Sequence, residues 1–88
     1  MLKVNVTQEH IDKGERYNTG GCPIAWALRD ALPEGCCGIN VRACVAVWFD
    51  DAQVYHQAWL PRPAQDFVVE FDSGLDTEPF SFELDADV

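Results

Sequence analysis

The chain is poor in positive charge: its 88 residues include 6 Lys and Arg against 15 Asp and Glu, a net charge of −9. Binding DNA or RNA through phosphate contacts requires clustered bases that displace condensed counterions, so direct nucleic-acid binding is ruled out as an expectation. An anionic membrane surface is disfavoured on the same ground. No apolar run approaches the ~18 residues of a membrane span. The opening Met1-Leu2-Lys3-Val4-Asn5 lacks the apolar core of a signal peptide, so a cytoplasmic location is expected. Also missing are a Gly-rich phosphate loop, a G-x-S-x-G elbow and an H-E-x-x-H zinc helix.

What remains is enough to fold. Apolar residues make up 48% of the chain and charged ones only 24%, which excludes disorder by composition. The length suits one small domain, residues 1–88. Its charge is uneven. In residues 1–44, Glu9, Asp12, Glu15, Asp30 and Glu34 balance Lys3, Lys13, Arg16, Arg29 and Arg42. In residues 45–88 the remaining acids face a single base, Arg62, and the segment 63–88 has none. That segment carries Asp66, Glu70, Asp72, Asp76, Glu78, Glu83, Asp85 and Asp87, a density that costs stability through self-repulsion unless a partner offsets it.

Periodicity supplies the elements. Leu2, Val4 and Val6 alternate with Lys3 and Asn5 as in a half-buried strand. Thr7 is placed as the N-cap of a short helix that stops near Gly14. Cys22-Pro23 opens a second helix, with Ile24, Ala27, Leu28, Ala31 and Leu32 on one face and Pro33 as its end. From Ile39 to Phe49 the odd positions are apolar and expected to face the core; a run of this length predicts a bulge or break near Arg42-Ala43. Asp50 to Gln53 form a hairpin turn, and Val54, His56, Ala58 and Leu60 point inward on the returning strand. Pro63 begins a third helix bearing the stripe Ala64, Phe67, Val68 and Phe71, with Gly74 as its C′ residue and Leu75 placed for an apolar cap contact. Phe80, Phe82 and Leu84 mark a last strand. The order β-α-α-β-β-α-β predicts an α+β fold: a single two-layer domain whose antiparallel or mixed sheet of about four strands carries its helices on one face. Trp48, Tyr55 and Trp59 then fall on the open face.

The cysteines and histidines give little chemistry. Cys22, Cys36, Cys37 and Cys44 lack the C-x₂₋₄-C pairs of a zinc site, and adjacent Cys36 and Cys37 lie too close for an ordinary disulfide. Cys22 at a helix start, with His56 as a base, outlines a nucleophilic pair, but packing is the simpler role for both. No metal, no cofactor and no enzymatic activity are expected, since a crowd of exposed carboxylates does not make an acid/base pair.

Several segments together, Val6-Thr7-Gln8-Glu9-His10-Ile11-Asp12-Lys13-Gly14, Cys22-Pro23-Ile24-Ala25-x-Ala27-Leu28, Phe71-Asp72-Ser73-Gly74 and Glu78-Pro79-Phe80-Ser81-Phe82-Glu83-Leu84, resemble a family of small phage and prophage proteins. Members of that family often carry C-x-x-C-P, whereas this chain has Thr19 at the first cysteine position. A small acidic phage protein is similar to the stoichiometric inhibitors of host defence, including anti-CRISPR proteins. The resemblance implies a partner: a host nucleic-acid-binding complex, such as a CRISPR surveillance complex, whose Lys/Arg-rich channel holds backbone charge. A DNA-mimicking surface of Asp66, Glu70, Asp72, Asp76, Glu78, Glu83, Asp85 and Asp87 would compete for that channel. The alternative is a non-catalytic accessory or structural module that self-associates through the aromatic face of Trp48, Tyr55 and Trp59. Both a monomer and a dimer are compatible with these features.

Overall fold

The computed structural model describes residues 1–86. The elements are β1 (Leu2–Val6), α1 (Gln8–Lys13), α2 (Pro23–Ala31), β2 (Cys37–Val41), β3 (Val45–Phe49), β4 (Tyr55–Trp59), α3 (Arg62–Asp72) and β5 (Phe80–Leu84). The α+β class and the antiparallel pairing follow the sequence reading. The strands, however, divide into two sheets, a β1-β5 ribbon and a three-stranded β2-β3-β4 meander.

The extra strand comes from the expected break. The chain reverses at Arg42–Cys44, where the Arg42 N–H donates to the Val45 carbonyl at 2.8 Å, and Val41 lies opposite Ala46. That reversal changes which parity faces inward. Ile39 and Val41 are buried before it, while Ala46 and Trp48 join the same core after it, at 0% and 1% exposure. Val47 is buried as expected, but the expectation that Val45 and Phe49 line the core is corrected, since Val45 is half-buried and Phe49 exposed, as is the placing of Trp48 on the open face. Once the strand is cut, a turn within it shifts the phase by one residue.

Each helix is fixed locally. Thr7 and His10 form a reciprocal capping box: the His10 N–H donates to Thr7 Oγ1 at 3.3 Å, and the Thr7 N–H donates to His10 Nδ1 at 3.0 Å. Histidine fills the role usually taken by Glu or Gln. With Nδ1 accepting, Nε2 carries the proton and donates to Asp30 Oδ2 at 2.6 Å, so the buried ring joins α1 to α2. Gly14 ends α1 with an ordinary negative φ; a Cβ there would lie 2.5 Å from the Pro23 ring, so close approach to α2 demands glycine. At the end of α3, the Leu75 N–H bonds to Glu70 O and the Gly74 N–H to Phe71 O, with Gly74 at φ +82°. This is a Schellman cap, but the position facing Leu75 is Glu70, so Leu75 stays exposed rather than making the expected apolar contact.

The core is continuous across both sheets. Val4, Val6, Phe82 and Leu84 from the ribbon meet Ile24, Ala27 and Leu28 of α2, Ala46, Trp48 and Ala58 of the meander, and Ala64 and Phe67 of α3. The Phe67 ring stacks on Phe80 at 4.9 Å, which ties α3 to β5. Trp26 sits at the flank of α2, with Lys13 Nζ 4.4 Å and Arg29 Cζ 4.7 Å from its ring centroid.

Candidate functional site

The α3–β5 contact creates a concavity. Pro63, Phe67 and Glu70 of α3, Asp76, Thr77 and Glu78 of the connecting segment, and Phe80 of β5 line a groove of about 360 Å³. Its floor is aromatic because the apolar stripe of α3 and the first residue of β5 must meet there to cover the core. Its rim is acidic because Glu70 lies on the solvent side of α3 and Asp76 and Glu78 lie on the open chain after the helix cap; all three are exposed. No Lys or Arg lines the groove among the described residues. A cationic side chain with an apolar stem suits such a lining: the stem lies on the rings and the charge meets the carboxylates.

The other expected acids are distributed differently. Asp66 pairs with Arg62 across one helical turn, with Oδ1 3.1 Å from Nε, which offsets the repulsion expected between Asp66 and Glu70. Asp72 turns away from the groove: its Oδ1 accepts the Tyr17 N–H at 3.0 Å, and it lines a second hollow of about 260 Å³ with Tyr17, Thr19, Cys22, Val41 and Arg42. Glu83 lies directly across the ribbon from Lys3, and Asp85 is exposed beyond β5. Asp87 lies outside the described residues. Thus Glu70, Asp76 and Glu78 line the groove together, whereas Asp66, Asp72, Glu83 and Asp85 lie outside its lining.

The thiols are free. Cys22 is the N-cap of α2, yet burial outweighs the influence of the nearby Ala25 and Ile24 amides and pushes its thiol above the ordinary value, with Asp72 acting in the same direction. A buried, protonated Cys22 is a packing residue. His56 is occupied elsewhere: its Nε2 lies 2.7 Å from Asp50 Oδ2, and its ring stacks on Trp48 with centroids 5.6 Å apart. That contact, with the Val54 and Ala52 amides that also donate to Asp50, holds the Asp50 carboxyl below its usual range. Among the described residues, no group of three or more His, Cys, Asp or Glu is placed to hold a metal ion. The two His–Asp contacts escaped sequence reasoning, since their partners lie 20 and 6 residues apart with no motif to join them.

The fold defines a small α+β domain with two antiparallel sheets and three helices. Comparison with protein-family models, curated proteins and solved structures finds no match to this chain. No helix among the described residues is long and apolar enough to cross a membrane.

Proposed function

We propose that the domain is a non-catalytic binding protein whose α3–β5 groove receives a Lys or Arg side chain of a positively charged partner. The convergence of Glu70, Asp76 and Glu78 over the Phe67 and Phe80 rings, with no base in the lining, carries this reading. The reading narrows the acidic surface to one recess and assigns Asp66, Asp72, Glu83 and Asp85 to local pairing or to the long-range field. With a net charge of −9, that field speeds encounter with a basic surface and makes association salt-sensitive.

A nucleic-acid-binding host complex offers such a surface, because a channel that holds phosphates presents rows of Lys and Arg. In the phage setting implied by the sequence resemblance, the domain acts in the host cytoplasm as an anti-defence inhibitor that occupies this channel in place of DNA, a CRISPR surveillance complex being one such target. The test is capture from host lysate by the immobilised protein at low and high salt, alongside Glu70→Lys and Glu78→Lys. A partner held at low salt and lost in both variants is expected. A partner retained by both variants at high salt would place the interface elsewhere.

A further inference from the structure

A different part of the molecule points to self-association. Strand edges expose unpaired backbone groups, and folded proteins protect them with charge, proline or a covering segment. Three of the strands bordering the sheets show such protection. Lys3 lies in β1 and Glu83 in β5. The outer edge of β2 is covered by the 15–21 loop, since the Val41 N–H donates to the Thr19 carbonyl at 2.7 Å and Thr19 Oγ1 donates to Asn40 Oδ1 at 2.8 Å. By contrast β4, Tyr55-His56-Gln57-Ala58-Trp59, has no Lys, Arg, Asp, Glu or Pro, and no described strand pairs with its outer edge.

The ladder also settles which groups that edge offers. The Leu60 N–H donates to Cys44 O and the Asp50 N–H to Val54 O, at the two ends of the β3–β4 pairing. Alternation between those ends directs the backbone of His56 and Ala58 toward β3 and that of Tyr55, Gln57 and Trp59 outward. The side chains of these same three residues stand on the solvent face of the sheet, with Tyr55 53% and Trp59 67% exposed.

We propose that β4 pairs antiparallel with β4 of a second copy, about a two-fold axis through Gln57, to form a six-stranded sheet. This register is self-complementary. Tyr55 falls opposite Trp59 of the second copy at both ends, and Gln57 falls opposite Gln57, so every outward N–H and C=O of the three residues finds a partner. Aromatic pairs directly across strands are favourable, and the T-shaped Phe49–Tyr55 contact already present at 5.5 Å extends the row into β3. Charge also selects this edge. Residues 52–61 hold neither acid nor base apart from His56, so two copies with net charge −9 meet here without facing carboxylates. The antiparallel arrangement also turns the Asp50-Asp51 hairpin end of one copy toward the Arg62 end of the other. The interface is separate from the α3–β5 groove, and it stands whether or not that groove binds a cation.

The test is sedimentation equilibrium over an about hundredfold dilution range, applied to the wild type, Gln57→Pro and Gln57→Lys. Proline removes only an outward N–H, which an edge strand tolerates, while lysine sets two like charges face to face at the axis. The expected result is a wild-type dimer, twice the 9.9 kDa chain, with dissociation constants raised at least about tenfold in both variants. If Gln57→Pro does not fold, Gln57→Lys alone decides. A wild-type protein that is monomeric throughout the range, a dimer that persists in Gln57→Lys, or growth beyond the dimer would each overturn the proposal, because a two-fold β4 pair closes on itself.

Discussion

Replacing His10 with alanine removes a junction that the sequence shows only as one residue of a short helix. The ring is 3% exposed, accepts the Thr7 N–H at Nδ1 and donates to Asp30 from Nε2. Losing the reciprocal half of the capping box costs about 1 kcal/mol. The Asp30 bond adds about 1 kcal/mol, at the low end for a charged acceptor because that carboxylate is 69% exposed. Loss of the buried ring adds about 1 kcal/mol more. His10→Ala is therefore expected to lose about 3 kcal/mol, which for a domain of this size lowers Tm by roughly 15 °C. Asp30→Ala, which removes one of the three contributions, should lose about 1 kcal/mol. Urea unfolding followed by circular dichroism measures both, and a Thr7→Ala/His10→Ala cycle should show non-additivity because the two residues share the box. A His10→Ala loss below about 1 kcal/mol, or an Asp30→Ala loss equal to it, would refute the account of this junction.

Two further outcomes follow from the meander. Trp48 is 1% exposed, and its indole N–H has no hydrogen-bond partner among the described residues, so Trp48→Phe should change stability by no more than about 1 kcal/mol while Trp48→Ala costs about 3–5 kcal/mol in the same unfolding assay. Asp50 has a folded-state pKa below its unfolded value, so its contribution is complete above the ordinary carboxyl range near ~3.9 and is lost as pH falls through the lower folded value. Thermal melts of Asp50→Asn should accordingly show a shallower acid loss than the wild type over that interval; equal slopes would remove Asp50 as a source of acid sensitivity.

The sequence made local features legible where a chemical marker accompanied the pattern. Pro23 marked α2, Pro63 placed α3 to within a residue, and Gly74 marked the helix cap. The turn at Arg42–Cys44 has no Gly, Pro, Asn or Asp and no positive φ, so the apolar alternation runs through it unbroken while the chain reverses. That turn, signalled only by the length of the run, separates β2 from β3 within one sheet and places Trp48 in the core rather than on the surface. The acidic segment was plain from composition, but its subdivision was not. Only the Phe67–Phe80 stacking, a contact between distant parts of the chain, gathers Glu70, Asp76 and Glu78, whereas the neighbouring Asp72 is drawn to the Tyr17 amide.

The claim that the α3–β5 groove accepts a cationic side chain is tested most directly by the salt dependence of affinity for the captured partner, measured for the wild type and for the combined Glu70→Lys, Asp76→Lys and Glu78→Lys variant. The wild-type affinity is predicted to fall steeply with added salt, and the bound protein should exclude a labelled DNA duplex from the partner. The triple variant should lose both properties while keeping its fold by circular dichroism. A folded triple variant that binds as tightly as the wild type, with the same salt slope, would contradict the claim.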